Sequence, residues 1–278
     1  MRIVLIHGRA AQMEIPDLMA ADMRAALAFG QARIDDGLDT TALDVRLAFY
    51  GDIWRPDFRQ PLPVIEPVEA AEEAFPGVSD ISLWVDEHLG VGDFLTEHML
   101  KDVDDYLSDP DLRRLTNDRL RIRVREDPPD AEGVIVVGFS MGSFVAYDTL
   151  RESADLPVGA LLTIGSPLSM PTFFRRLAAD SPVKPPANPT PFPPQLRLWA
   201  NVWTKDDPAT AGHADIALRY PNAAPDGPRV QDLETWGRSA AATNPAAAHN
   251  ALDYLSSRVF ATALRRAVSL LRAGGGAP

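Results

Sequence analysis

The sequence predicts an α/β fold in which helices cover both faces of a doubly wound, mostly parallel sheet. Two short apolar runs, Arg2 to Ile6 and Val134 to Val137, have the composition of buried parallel strands. Stretches with helical spacing of apolar residues follow each of them, which favours βα units. No break in composition divides the 278 residues, so we expect one domain over residues 1–278.

Composition and charge exclude several classes of function. The formal net charge of -12 argues against nucleic acid and anionic membrane surfaces as partners, because both would repel the chain. The absence of cysteine excludes disulfides, thiolate metal sites and a cysteine nucleophile. No run of about eighteen apolar residues indicates a membrane span. The amino terminus enters a strand without a leader-like apolar segment, so a cytoplasmic location is expected.

The remaining elements follow from hydrophobic spacing and from breaker residues. Between Val68 and Glu126 the sequence predicts more helix than one βα crossover requires, so we expect an inserted helical cap over about residues 66–126. The other predicted elements are helix Pro16 to Arg33, strand Leu43 to Tyr50, strand Val158 to Ile164, strand Leu196 to Trp203, a short last strand Val230 to Trp236, and helix Ala251 to Leu271.

The segment Gly138-Phe139-Ser140-Met141-Gly142 directly follows the second apolar run and has the pattern G-x-S-x-G. In this pattern a strand turns sharply into a helix and presents one serine at the tip of the turn. The backbone crowds the positions two before and two after the serine, which explains the glycines. The positive end of the following helix points at the same place, so the N–H of Met141 is a candidate donor to an oxyanion.

The loop after the first strand, His7-Gly8-Arg9-Ala10, is a candidate for a second oxyanion donor. A strand that leads into His-Gly upstream of G-x-S-x-G fits the loop that supplies this N–H. The sequence leaves open whether the donor is Arg9 or Ala10. We expect His7 to brace the loop as a buried histidine rather than to transfer a proton.

Asp207 and His249 are the candidate acid and base. Asp207 follows a tryptophan-bearing strand, at the end where the site of a doubly wound sheet lies, and His249 precedes the last helix. His213 follows Asp207 too closely for another βα unit to separate the acid from the base, which favours His249 as the base. The proline after Asp207 favours Asp207 over Asp206 as the acid. The alternatives are Asp206 for the acid, His213 for the base, and Ser143 or Ser166 for the nucleophile, although hydroxyls of the last two fit capping or loop roles better.

The chain order of Ser140, Asp207 and His249 is that of α/β-hydrolases, and the sequence resembles this superfamily, in particular its serine esterases and lipases. The sequence departs from the family in two ways: the sheet is expected to be shortened at its N-terminal side, and the helical region before the serine is enlarged. The matching segments are the first strand with His7-Gly8, the G-x-S-x-G turn, the strand end Thr163 to Pro167, Asp207-Pro208, and His249 with Tyr254 behind it.

The resemblance implies a serine hydrolase that cleaves a carboxylic ester or thioester through an acyl-enzyme on Ser140. His249 would be the general base and Asp207 the acid that orients it, without a metal or organic cofactor. The expected partner is a small-molecule acyl substrate. An acyltransferase or cyclase would use the same acyl-enzyme, and a non-catalytic ligand-binding module is the alternative from another class. The residues expected to line an apolar pocket are Phe139, Phe94 and Leu95.

Overall fold

The computed structural model describes residues 1–8, 15–54, 101–126, 133–170, 192–210, 216–222, 226–236 and 249–274. Within these ranges six strands form one open sheet, and every pairing between neighbouring strands is parallel. The strands are β1 (Arg2–Ile6), β2 (Asp44–Ala48), β3 (Val134–Phe139), β4 (Val158–Ile164), β5 (Leu198–Trp203) and β6 (Val230–Glu234). Their order across the sheet is β2-β1-β3-β4-β5-β6.

The helix that begins at Pro110 starts at a side-chain cap. Asp109 accepts hydrogen bonds from the backbone N–H groups of Asp111 and Leu112, both at 3.0 Å, and Pro110 occupies the first helical turn that follows. The described helices are α1 (Pro16–Gln31), α2 (Gly51–Trp54), α3 (Pro110–Arg125), α4 (Met141–Glu152), α5 (Ile216–Arg219), α6 (Ala251–Leu255) and α7 (Arg258–Gly274), and residues 101–108 are also helical.

Each face of the sheet packs against its own hydrophobic core. Alternate residues of β3 point to opposite faces, so Val134 and Val136 belong to one core while Ile135 and Val137 belong to the other. Helices α3 and α4 cover the first face, and helices α1, α6 and α7 cover the second. The α/β class and the parallel sheet predicted from the sequence are therefore confirmed.

The strand order reverses direction between β1 and β3. From β1 the chain first crosses to β2 at one edge, then returns to β3 on the other side of β1 and continues outward. In open α/β sheets ligands bind beyond the carboxyl ends of the strands at such a reversal. Here β1 ends before His7 and Gly8, and β3 ends before Ser140, so these residues flank the reversal point.

Two predicted segments differ from the structure or lie partly outside it. The helix predicted as continuous from Ala251 to Leu271 is divided into α6 and α7, because the hydroxyl of Ser257 accepts the N–H of Phe260 and caps a new helix. Of the region predicted as a cap, α3 packs on β1 and β2, whereas residues 66–100 lie outside the described ranges. The cap thus stays a prediction.

Among the helices described, none is long and apolar enough to cross a membrane.

Candidate active site

The backbone at Ser140 is strained. Its dihedral angles are φ 52° and ψ -125°, a region that residues with a side chain rarely adopt. A β-carbon at Gly138 would lie 2.6 Å from Cα of Ser143, and one at Gly142 would collide with the carbonyl oxygens of Ile6 and His7. The two glycines therefore allow the tight turn that presents the serine side chain at the strand end.

Ser140, His249 and Asp207 form one continuous line of hydrogen bonds. The Oγ of Ser140 lies 2.8 Å from Nε2 of His249, although 109 residues separate them in sequence. The other ring nitrogen, Nδ1, lies 3.0 Å from both carboxylate oxygens of Asp207. In this arrangement a carboxylate that accepts the Nδ1 proton leaves Nε2 free to accept the serine proton.

The carboxylate of Asp207 is fully buried and accepts two further hydrogen bonds. Its Oδ1 accepts the backbone N–H of Ala209 at 2.8 Å, and its Oδ2 accepts the hydroxyl of Tyr254 at 2.6 Å. Burial, and then the neighbouring Asp207 charge, raise the pKa of the Tyr254 phenol above its usual value of 10.0, so this group stays a donor. These donors hold the carboxylate in one orientation toward the imidazole.

Gly165, the residue after β4, lies against this carboxylate. Its φ of +52° is in the left-handed region that favours glycine. A β-carbon at this position would lie 3.0 Å from Oδ2 of Asp207 and at the same distance from the rings of Phe139 and Tyr254. The ring of Phe139 in turn packs on His249, with 4.7 Å between centroids. The absence of a side chain at Gly165 therefore leaves space for the Asp207 carboxylate to pack against the rings of Phe139 and Tyr254.

The oxyanion donors expected from the sequence are only partly within the described chain. Met141 is the first residue of α4, where backbone N–H groups have no acceptor inside the helix, and it is buried. Its N–H is thus a suitable donor beside the Oγ of Ser140. Arg9 and Ala10, the alternatives for the second donor, lie outside the described residues, as do Phe94 and Leu95.

His7 braces the loop after β1, as expected. It is buried, its Nε2 accepts the backbone N–H of Tyr50 at 3.1 Å, and the two rings stack with 4.1 Å between centroids. The hydroxyl of Tyr50 donates back to the carbonyl oxygens of His7 and Gly8. Tyr50, which the sequence did not single out, therefore fixes the backbone of His7 and Gly8, the described start of this loop.

The two rival serines have other roles. The hydroxyl of Ser143 donates to the carbonyl oxygen of Ser140 at 2.5 Å and lies 2.7 Å from the Oγ of Ser166, so both hydroxyls brace the turn. Asp206 is exposed, and its backbone N–H contacts Oγ1 of Thr204 at 3.4 Å. The rival base, His213, lies outside the described residues.

A cavity of about 350 Å³ lies beside His249, between α1 and the loop after β1. Phe139, expected from the sequence to contact substrate, is part of its wall. The size falls within the range of about 300–1,000 Å³ that is typical of small-molecule sites. The lining residues are His7, Gly8, Met19, Asp22, Met23, Phe139, His249, Asn250, Ala251 and Leu252.

Comparison with protein-family models gave no match for this chain. No curated protein matches it either. Across the described ranges, no group of three or more histidine, aspartate or glutamate side chains is arranged to hold a metal ion. The functional proposal therefore depends on the geometry of the site.

Sequence reasoning missed the hydrogen bonds that Tyr254 and Tyr50 make, since neither tyrosine lies in a motif that identifies its partner.

Proposed function

We propose that the chain is a serine hydrolase of the α/β-hydrolase type, which cleaves carboxylic esters or thioesters through an acyl-enzyme on Ser140. The single observation that carries the proposal is the hydrogen-bonded line from Ser140 through His249 to Asp207 at the reversal point of the sheet. A serine hydroxyl is a weak nucleophile until a base removes its proton. The 2.8 Å contact between Oγ and Nε2 has the length that such a proton transfer requires.

The first half of the reaction transfers the acyl group to the protein. The Oγ of Ser140 attacks the carbonyl carbon as its proton moves to Nε2 of His249, and the carbonyl oxygen becomes an oxyanion. When the tetrahedral intermediate collapses, the bond to the leaving group breaks, and Nε2 returns the proton to the departing oxygen or sulfur. Asp207 stabilises the imidazolium that exists between these two proton transfers.

The second half releases the acid and restores Ser140. Water gives a proton to His249 as its oxygen attacks the acyl carbon, and the bond to Oγ then breaks with return of that proton to Ser140. In both halves the N–H of Met141 is suited to stabilise the oxyanion, and one such donor typically contributes about 3 kcal/mol to the barrier reduction. The chemistry requires no metal or organic cofactor.

Labelling with a fluorophosphonate probe, followed by peptide mass spectrometry, tests the proposal. We expect a single adduct on Ser140 in the native chain, no adduct in Ser140→Ala, and strongly slowed labelling in His249→Ala. The matched control is His213→Ala, which removes the histidine that sequence reasoning left as the rival base and should label at the native rate. An unlabelled native chain, under conditions where a control hydrolase reacts, would contradict the proposal.

A further inference from the structure

The cavity beside His249 has one carboxylate among the described residues of its wall. Among the described residues that line it, the exposed Asp22 on α1 is the one acidic or basic side chain apart from the two histidines. The next basic residue along the helix, Arg24, directs its Nε to the carbonyl oxygen of Val45 at 3.1 Å. Two buried methionines on the same helix, Met19 and Met23, provide apolar surface next to the carboxylate. The described part of the wall therefore combines one negative charge with the apolar surface of two methionines.

The position of the cavity indicates which half of an ester substrate, the acyl group or the leaving group, it would hold. Its wall includes His249, the residue proposed to return a proton to the leaving group, and Gly8, where a β-carbon would lie 3.0 Å from Cβ of Ser140. A leaving-group atom must come within hydrogen-bond distance of the histidine that protonates it. A cavity that starts at His249 and extends toward α1 is thus suited to the leaving-group half of an ester.

We infer that this cavity binds the leaving group and that Asp22 selects leaving groups that carry a positively charged nitrogen. The inference rests on the proposed hydrolase function. A cation in the cavity is attracted to the Asp22 carboxylate, while its alkyl groups contact Met19, Met23 and the Phe139 ring. A negatively charged leaving group meets both this carboxylate and the overall charge of -12.

Binding of two isosteric probes tests the charge selection without any hydrolysis. Choline has a trimethylammonium group, and 3,3-dimethylbutan-1-ol has a neutral tert-butyl group of nearly the same shape. We expect ligand-observed NMR to show choline binding about two- to fivefold more tightly than the alcohol, the range for an exposed ion pair. In Asp22→Asn this preference should be lost.

The matched control is Asp17→Asn. Asp17 is an exposed acidic residue on the same helix and does not line the cavity, so its replacement changes the net charge equally. The preference for choline should persist in this variant. Equal binding of the two probes to the native chain, or equal loss of preference in both variants, would overturn the inference. In either case the Asp22 carboxylate would not be the specific source of the preference for choline.

Hydrolysis of the two acetate esters of these alcohols separates this inference from the proposed function. The ratio of kcat/KM for the cationic ester to that for the neutral ester should fall about two- to fivefold in Asp22→Asn and stay constant in Asp17→Asn. If both esters are cleaved through Ser140 but the ratio does not change, the inference fails and the hydrolase proposal stands. If choline binds through Asp22 but neither ester is cleaved, the cation site stands and its leaving-group role fails.

Discussion

Replacing Asp207 with asparagine tests how His249 is oriented for proton transfer. In the native chain both carboxylate oxygens lie 3.0 Å from Nδ1, so either oxygen accepts the Nδ1 proton. The fixed N–H of Ala209 would hold the asparagine oxygen at the Oδ1 position, which leaves the amide NH₂ at the Oδ2 position. The amide donor at the Oδ2 position then competes with the oxygen at the Oδ1 position for Nδ1, and it stabilises the tautomer with its proton on Nε2. That tautomer cannot take the proton of Ser140.

The expected decrease in kcat of Asp207→Asn follows from the loss of the productive tautomer and of the negative charge beside the imidazolium. In serine hydrolases the corresponding substitution lowers kcat by about 10⁴-fold. We expect a decrease of about 10³- to 10⁴-fold here, equivalent to about 4 to 5.5 kcal/mol in the activation barrier. The hydroxyl of Tyr254, 2.6 Å from Oδ2, can turn and accept from the amide, so the packing around the residue should be retained.

The assay is kcat with p-nitrophenyl acetate, with circular dichroism and a thermal unfolding curve to show that each variant is folded. Asp206→Asn is the matched control, because it removes the adjacent, exposed carboxylate and changes the net charge equally. Its kcat should stay within about twofold of the native value. If Asp207→Asn retains more than a tenth of the native kcat, or if Asp206→Asn loses as much as Asp207→Asn, the assignment of the acid is refuted.

Three further predictions concern groups around the site and the core. Tyr254→Phe removes a donor from the buried Asp207 carboxylate and should lower the free energy of unfolding in urea by about 1.5 to 3 kcal/mol. Asp148→Asn removes one of the carboxylates that pair with Arg113, at 2.8 Å, while Glu152 stays at 2.9 Å, and should lower the same quantity by about 1.5 to 3 kcal/mol. Burial opposes ionisation of Asp148, but Arg113 outweighs it and holds the pKa of Asp148 below 3.8. The stability difference between the native chain and this variant should therefore be full at neutral pH and shrink as the pH falls below that value. Gly165→Ala should lower kcat and cost about 1 to 2 kcal/mol in thermal unfolding, because of its positive φ and the 3.0 Å approach to the acid.

The turn at Ser140 was predictable from sequence because its causes are local. Strand β3 depends on a run of β-branched residues, and the glycines at 138 and 142 are required within five residues of one another. The structure extends the predicted strand by two residues to Phe139. Ser140 and Asp207, which sequence reasoning selected together with His249, each lie within hydrogen-bond distance of that histidine.

The hydrogen bonds that hold these residues in place were not predictable from the sequence, because they join distant parts of the chain. Tyr254 reaches Asp207 across 47 residues, and Tyr50 contacts His7 across 43. A tyrosine in a sequence gives no indication of which buried group its hydroxyl will meet. The division between α6 and α7 was missed for a related reason, since apolar spacing continues through Ser256 and Ser257 although Ser257 caps a new helix.

Trapping the acyl-enzyme shows whether Ser140 carries the acyl group of the substrate, as proposed. The native chain is mixed with p-nitrophenyl butyrate, quenched in acid within its first turnover, and digested for peptide mass spectrometry. We predict a butyryl group on Ser140 in the quenched sample, and none in Ser140→Ala. Hydrolysis of the ester without any acylated peptide, or a butyryl group on another residue that persists in Ser140→Ala, would contradict the account.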